Sequence, residues 1–190
     1  MMKLSTNGIA LLKKLENKVT RKGRHVVYKD QAGHPTIGYG HLIKPGEHYE
    51  KIGIDERWAT DLLRADVKRF EVAVNDAVTV PLNQNEFDAL VIFVFNIGRR
   101  AFRQSTALKL LNAGDRKEVG RSMTLWHKVH IDGKLVDSNG LINRRAQEVG
   151  LFYTPVGDKP AESGPPSKPK VAKPKKAGCV IRLKSWLKGD

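Results

Sequence analysis

The stretch Leu12–His41, LKKLENKVTRKGRHVVYKDQAGHPTIGYGH, decides the first part of the fold. It begins within an amphipathic helix that Ser5 or Asn7 can cap, and apolar residues recur along this helix at helical spacing. Glu16 falls on or beside the apolar face. A carboxylate at such a position is uncommon, because an ionised group is costly to remove from water. The alternative interpretation is a solvent-facing side chain at a frayed helix end.

Residues 19–24 are polar and basic, and they predict a loop. Two short strands are expected after it, over residues 25–28 and 35–37, with a hairpin turn over residues 30–33. This arrangement places Asp30 at the hairpin, on the far side of the loop from the first helix. We therefore predict a small antiparallel sheet that needs the rest of the chain in order to fold.

Gly38 and Gly40 bracket Tyr39 directly after the second strand. Glycine suits a backbone that must bend sharply or lie close to a ligand. Gly38 and Tyr39 are therefore candidate substrate-binding or supporting residues.

The remainder of the core is predicted to be helical. Asp55 is a good cap for a long amphipathic helix ending near Val78, which suits a helix that bridges two lobes. Residues 83–86 have the spacing of a capping box, and the helix that follows, residues 87–97, is apolar nearly all round and belongs at the centre of a core. Further helices are expected over residues 105–113, 115–126 and 141–152, with a hairpin or loop over 133–140. The predicted fold class is α+β, with a small antiparallel β-sheet lobe and a helical lobe joined by a long helix.

Positive charge is concentrated towards the end of the chain. The net charge is +14 over 190 residues, and residues 155–190 hold nine Lys or Arg against three Asp or Glu. We predict a core domain over residues 1–154, a disordered Pro/Lys-rich linker over 155–176 and a basic amphipathic segment over 177–190. That segment suits a membrane interface; docking on the domain and disorder are the alternatives.

Several classes of protein are disfavoured by composition and motifs. The single cysteine, Cys179, excludes an internal disulfide. No apolar run approaches the roughly 20 residues of a membrane span, and lysines inside the first apolar stretch argue against a signal peptide. His127 and His130 have the spacing of two metal ligands but no evident third, and phosphate-binding and nucleophile motifs are lacking. We predict neither a metal nor a cofactor.

Glu16 and Asp30 suggest a particular chemistry. Cleavage of a glycosidic bond needs a proton donor at the leaving oxygen and a second carboxylate across the sugar ring. Partial desolvation would favour the neutral, proton-donating form of Glu16, whereas Asp30 would stay ionised among polar groups. The hydroxyl of Thr36, across the hairpin, could hold the attacking water. Spacing alone is a weak signal, since many proteins have two carboxylates this far apart.

Residues 28–41 follow the pattern Y-K-D-x-x-G-x-x-T-I-G-Y-G-H, which resembles the central motif of the phage-type lysozymes, the bacteriophage endolysins of glycoside hydrolase family 24. Other stretches resemble that family in order along the chain, and the similarity covers roughly residues 7 to 153. These stretches are residues 7–16, 86–98, 105–115 and 144–148.

The resemblance implies hydrolysis of the β-1,4 bond between N-acetylmuramic acid and N-acetylglucosamine in bacterial peptidoglycan, which causes lysis of the host cell. It assigns the acid to Glu16, the second carboxylate to Asp30 and the catalytic threonine to Thr36. Arg145 matches the arginine that pairs with the glutamate, and the adjacent Arg144 is the alternative. An arginine beside Glu16 would favour its ionised form and so oppose desolvation.

The spacing of the two carboxylates departs from that family. Thirteen residues separate Glu16 from Asp30, more than is usual, and Asn17 stands where a glycine is usual. The additional basic residues near Thr20 to Arg24 are expected to loop out before the first strand. The stereochemical outcome, inverting or retaining, depends on the distance between the two carboxylates and stays open.

Two other functional hypotheses are carried forward: a lytic transglycosylase acting on the same bond, and a catalytically inactive module that binds the wall or another polyanion. Peptidoglycan is the expected partner, with the anionic outer membrane or its lipopolysaccharide as a hypothesis for the tail. Nucleic acid is disfavoured, because stacking aromatics and a recognition helix are lacking. We expect a monomer made in the host cytoplasm that reaches the periplasmic cell wall through a holin-type pore.

Overall fold

The computed structural model describes residues 1–30, 32–131 and 133–157. Within these ranges, helices form most of the fold, and the short strands pair in antiparallel sheets of order β1-β2, β3-β4-β5 and β6-β7. The elements in chain order are α1 Thr6–Leu15, β1 Thr20–Arg21, β2 Arg24–His25, β3 Tyr28–Lys29, β4 Pro35–Ile37, β5 His41–Leu42, α2 Glu56–Ala77, α3 Gln84–Ile97, α4 Arg99–Gln104, α5 Thr106–Asn112, α6 Arg116–Thr124, β6 Lys128–Ile131, β7 Lys134–Asp137 and α7 Asn139–Tyr153. The architecture is α+β, as predicted.

Helix α1 is fixed at both ends by its sequence. The Ser5 hydroxyl caps it by accepting a hydrogen bond from the Gly8 N–H at 3.0 Å, which satisfies one of the unpaired donors of the first turn. Ile9 and Leu12 are buried on its inner face. The helix ends at Leu15, and Glu16 takes an extended conformation with φ −96°. Its side chain consequently leaves the helix at the end that faces the sheet.

Helix α3 forms the centre of the core. The predicted capping box is present, because Asn83 accepts from the Glu86 N–H and the Glu86 carboxylate accepts from the Asn83 N–H. Every side chain from Phe87 to Phe95 is buried, and α3 packs against α1, α2, α4 and α7. Apart from Asp88, whose carboxylate accepts hydrogen bonds from Ser5, this stretch is apolar on every face, which favours a central position.

Helix α2 connects the strands to the helical part of the molecule. Asp55 caps it as predicted, accepting from the Trp58 N–H at 2.8 Å. Its 22 residues span about 33 Å at roughly 1.5 Å per residue. The helix contacts β2 and β5 as well as α3 and α4, so it bridges the two parts.

The prediction of a loop over residues 19–24 is wrong, because these residues form the β1–β2 hairpin. Thr20 pairs with His25 and Arg21 with Arg24. The turn residues Lys22 and Gly23 have φ of 49° and 74°, as the tight turns that match strand twist require. The additional residues of this chain are thus absorbed into a hairpin of their own.

The strand expected over residues 25–28 is interrupted, and helix α4 was not predicted. His25 exchanges two backbone hydrogen bonds of 2.8 Å with Ile54, so its backbone pairs outside the main sheet and the chain joins that sheet only at Tyr28.

The predicted linker beyond Gly157 and the basic segment 177–190 lie outside the described residues. In the described ranges, no helix has both the length and the apolar character needed to cross a membrane.

Gly53 provides a test of the β2–Ile54 bridge. A Cβ at Gly53 would lie 2.1 Å from the His25 carbonyl oxygen, whereas Gly46, also at positive φ, has open space around it. We expect Gly46→Ala to lower the free energy of unfolding by about 1–2 kcal/mol from backbone strain alone. Gly53→Ala should lower it by roughly a further 1–3 kcal/mol, because backbone atoms must move. Urea denaturation of both variants measures the difference, and equal losses would contradict the bridge.

Candidate active site

A cleft of about 710 Å³ opens between the sheet and the helices. Its walls come from the end of α1, the β3–β4 hairpin, the end of α3 and the first half of α7. The lining residues include Glu16, Asn17, Tyr28, Lys29, Asp30, Gly40, Asn96, Ser138, Asn143, Arg144 and Gln147. Polar and charged side chains therefore share this concave surface with apolar ones such as Leu15, Val129 and Leu141.

Glu16 enters this cleft from the end of α1, with 9% of its side chain exposed. Arg144 Nη1 donates to Glu16 Oε1 at 2.7 Å. The arginine that pairs with Glu16 is thus Arg144, and the assignment of this pairing to Arg145 is wrong. Neighbouring residues of a helix point about 100° apart, so only one of the two can face α1.

Arg144 and Arg145 are joined through a second carboxylate, Glu148. Arg144 Nε donates to Glu148 Oε1 at 2.9 Å, and Arg145 Nε lies 3.1 Å from Glu148 Oε2. The Glu148 side chain is fully buried and that of Arg145 is 1% exposed. We call the four side chains Glu16, Arg144, Glu148 and Arg145 the buried ion chain.

The far end of the buried ion chain returns to the cleft. Arg145 Nη2 donates to the Asn96 side-chain oxygen, and the guanidinium lies 5.0 Å from the centre of the Phe93 ring. Asn96 is one of the residues that line the cleft. Arg145 therefore supports the cleft from below, through Asn96, instead of contacting Glu16.

Burial and charge act against each other in this chain. Burial raises the pKa of the Glu148 carboxyl, while Arg145 and Arg144 oppose that rise. Burial lowers the pKa of Arg145 to about 10. Burial also acts to lower the pKa of Arg144, but Glu16 and Glu148 outweigh it and hold that pKa above its usual value. Arg144, which lies between two carboxylates, therefore holds its positive charge more strongly than Arg145 does.

Asp30 lines the same cleft from the β3–β4 hairpin. Its Oδ1 accepts hydrogen bonds of 2.9 Å from the backbone N–H groups of Ala32 and His34, and 5% of its side chain is exposed. Such bonds from a carboxylate to its own turn are typical of aspartate at a hairpin. The turn thereby fixes the orientation of the carboxylate relative to Glu16.

Thr36 does not take the position expected of it. The residue is fully buried, its hydroxyl donates to the His34 carbonyl at 3.0 Å, and it is not among the described residues that line the cleft. It lies opposite Tyr28 in the sheet. Its hydroxyl is committed to the backbone of the hairpin that carries Asp30.

Tyr28 is a site residue that sequence reasoning did not single out. It lines the cleft, and burial, with Glu16 and then Asp30 nearby, raises the pKa of its phenol. Both carboxylates therefore act on one hydroxyl group. Its place two residues before Asp30 was the available signal, because alternate residues of a strand share one face.

Gly38 and Tyr39 act as supports and do not line the cleft. Tyr39 is 3% exposed, and its hydroxyl donates to Glu56 Oε1 at 2.7 Å. Gly38 has φ 64° and lies against Ala59 of α2. Together they attach the end of the main sheet to the first turns of α2, and the neighbouring Gly40 is the one that lines the cleft.

The Glu56 carboxylate accepts hydrogen bonds from several of these supporting residues. Besides Tyr39, Lys13 Nζ donates to it at 2.8 Å and His25 Nε2 lies 2.8 Å from its other oxygen. Burial acts to raise the pKa of Glu56, but hydrogen bonds from Lys13, His25 and Tyr39 outweigh it and lower the pKa to about 2. One carboxylate therefore ties α1, β2 and the main sheet to α2.

A central apolar helix, a small sheet beside it, and a cleft between them that holds a buried glutamate and a hairpin aspartate define a lysozyme-like protein. Comparison with known families makes this assignment specific. The family model described as phage lysozyme matches residues 20–148, and the chain belongs to that family.

Individual relatives agree with the family match. The endolysin of Salmonella phage P22 is 39% identical over 156 residues, which cover 81% of this chain and all of that protein. The endolysin from Escherichia coli O157:H7 phage FAHEc1 superposes with a TM-score of 0.72 at 41% identity, covering 80% of this chain and 94% of the other. The muramidase domain of SpmX from Asticaccaulis excentricus has the same TM-score at 37% identity, covering 82% and 100%.

The pairing of Arg144 with two carboxylates predicts a large cost for its removal. Arg144→Gln leaves Glu16 and Glu148 without their shared cation, and we expect a loss of about 3–5 kcal/mol in unfolding free energy, as for a broken buried pair. Arg121→Gln is the matched control, because Arg121 is 77% exposed and lies 3.6 Å from Glu118; its loss should stay within about 0.5 kcal/mol. Comparable losses in urea denaturation would contradict the buried geometry.

The Glu56 contacts predict a dependence of stability on acid. A lowered pKa means that the stabilisation is complete above the usual carboxyl value of 4.5 and is lost as the pH falls towards about 2. We expect the difference in unfolding free energy between the wild type and Glu56→Gln to shrink across that interval. Glu118→Gln removes a carboxylate of similar exposure and is the control for the loss of one surface charge; an equal change for both variants would contradict the role of the Glu56 contacts.

Proposed function

We propose that this protein is an endolysin that hydrolyses the β-1,4 bond between N-acetylmuramic acid and N-acetylglucosamine in bacterial peptidoglycan. The observation that carries the proposal is the placement of Glu16 and Asp30 on different elements of one cleft. Glycosidic cleavage requires such a carboxyl pair. Membership of the phage lysozyme family and the names endolysin and muramidase among its relatives support it.

In the proposed reaction, Glu16 donates its proton to the glycosidic oxygen as the bond to the leaving sugar breaks. The end of α1 presents its side chain to the cleft, and its bond to Arg144 fixes the direction of the carboxyl group. Asp30, held by its own turn, either stabilises the positive charge that develops on the sugar or activates the attacking water.

Other residues of the cleft suit a glycan. Asn96, Asn143 and Gln147 line it, and their side-chain amides both donate and accept hydrogen bonds, as sugar hydroxyl and N-acetyl groups require. Lys14 and Lys29 also line it, and their positive charges favour an anionic polymer. Tyr28 lines the cleft together with both carboxylates and is suited to contact the sugar ring at the point of cleavage.

We assign Thr36 to the same machinery with an indirect role. Its hydroxyl bonds to the carbonyl of His34, and the N–H of His34 donates to Asp30. Thr36 would thus fix the hairpin that orients the second carboxylate.

The bacterial cell wall is the proposed place of action, and the protein would reach it from the host cytoplasm through a holin-type pore. Contact of the basic tail with the outer membrane or lipopolysaccharide stays a prediction.

A lytic transglycosylase is the second candidate. In that reaction a hydroxyl of the muramic acid itself attacks in place of water, and an anhydro-sugar forms. The observation that favours it is the position of Thr36, whose hydroxyl bonds to backbone instead of facing the cleft to hold a water. The retained Asp30 favours hydrolysis.

Muropeptide analysis tests the proposal and separates the candidates. Purified peptidoglycan is digested with the wild type, Glu16→Gln, Asp30→Asn and the surface control Glu118→Gln, and the products are identified by mass spectrometry. We expect reducing N-acetylmuramic acid ends from the wild type and the control. Glu16→Gln should lose about 10²–10⁴-fold in rate, the usual contribution of a general acid.

Each other outcome has a definite meaning. Anhydromuramic ends, one water lighter, would establish transglycosylation instead. Glu16→Gln with wild-type activity would overturn the assigned acid. Binding to the wall without release of any fragment by the wild type would favour a catalytically inactive wall-binding module.

A further inference from the structure

Glu148, like Arg145, is a member of the buried ion chain that does not line the cleft. It is fully buried, and its two oxygens face Arg144 and Arg145. All three side chains come from α7, at positions that place two arginines on either side of one carboxylate. A buried ion pair is often no more stabilising than apolar packing, so stability alone does not account for it.

Charge at Glu16 gives a reason for this arrangement. Arg144 contacts Glu16 directly, and a cation beside a carboxyl group favours its ionised form. A general acid must be protonated at the moment of bond cleavage. Arg144 beside Glu16, with Arg145 further along the buried ion chain, would therefore work against the proposed reaction unless a negative charge offset them.

The count of charges shows that Glu148 supplies the offset. With Glu16 ionised, the buried ion chain holds two carboxylates and two guanidinium groups, so its net charge is zero. The two carboxylates also interact with each other, because Glu16 is among the groups that raise the pKa of Glu148.

We propose that Glu148 is a positioning residue that aims Arg144 at Glu16 and, through its negative charge, offsets the positive charges of Arg144 and Arg145 behind the proton donor. This role rests on the proposed function of Glu16. Glu148 contacts neither the cleft nor any group that reacts, and it acts only through Arg144 and Arg145.

The groups that face Glu148 are few enough for a clean test. Arg144 and Arg145 face it from its own helix and Glu16 acts on it from the end of α1, while Asn96 of α3, bonded to Arg145, is uncharged. Tyr28 of β3 lies near Glu16. Substitution of Glu148 or Arg145 by glutamine therefore changes the net charge of the chain by one unit and keeps a polar side chain of similar length.

The experiment measures the pH dependence of kcat for fragment release from solubilised glycan strands. The rate falls at high pH as the general acid loses its proton, and this alkaline limb reports the charge around Glu16. Glu148→Gln leaves an excess positive charge, so the limb should move about one unit to lower pH. Arg145→Gln leaves an excess negative charge and should move it to higher pH.

The double variant Arg145→Gln/Glu148→Gln restores charge balance and should return the limb to the wild-type position. Glu148→Asp keeps the negative charge. The pH of its alkaline limb should therefore equal that of the wild type, even if its maximal rate is lower. Glu118→Gln, on the surface of α6, is the matched control and should leave the profile unchanged. All profiles are compared at temperatures where circular dichroism shows the variants folded.

The signs of the shifts distinguish this role from a purely structural one. Loss of stability alone would lower the rate without moving the limb, and it would not move it in opposite directions for the two single variants. Shifts of the same sign, or none, in folded proteins would overturn the proposal. Should Glu148→Gln not fold, the upward shift in Arg145→Gln and its reversal in the double variant carry the test. A fully active Glu16→Gln would instead overturn the assignment of Glu16 as the acid, on which this role rests.

Discussion

The contact between Glu16 and Arg144 is the interaction on which the site depends. It joins the end of the first helix to the last helix, across 128 residues of sequence. Because both side chains are nearly buried, neither can turn to water without breaking the pair. An ionic contact of this kind has a narrow range of acceptable geometries, and it fixes how α1 and α7 meet at the cleft.

Helix α3 makes that contact strong. The Phe93 ring of α3 lies 5.0 Å from the Arg145 guanidinium, and all four side chains of the ion chain are nearly or fully buried. Burial lowers the effective dielectric constant and strengthens the charge interactions nearby. The same helix ends at the cleft, where Asn96 receives Arg145. One element therefore forms the core, supports the charges and contributes to the cleft surface.

The sheet side of the cleft is positioned independently, through Glu56. That carboxylate gathers Lys13, His25 and Tyr39 at the start of α2. The additional residues between Glu16 and Asp30 fold into the β1–β2 hairpin, whose last residue bonds to Ile54. The insertion is thus anchored to the segment before α2, and Asp30 still reaches the cleft from the next hairpin.

Much of the fold follows from local pattern. Apolar periodicity and caps place α1, α2 and α3, and the turn sequence at residues 30–33 places Asp30 at a hairpin, because these features involve neighbouring residues only. Proximity of Glu16 to the apolar face was likewise visible in the helix period. The β1–β2 hairpin and α4 were missed, since short elements in basic, polar segments have weak periodicity.

Only the tertiary structure decided which side chains meet. Arg144 and Arg145 are adjacent and identical in type, and the choice between them depends on how α7 is rotated against α1 and α3. The commitment of the Thr36 hydroxyl to His34, and the presence of Tyr28 in the same cleft as both carboxylates, depend in the same way on packing. A sequence sets the period of an element, but its rotation is set by the combined burial of all its neighbours.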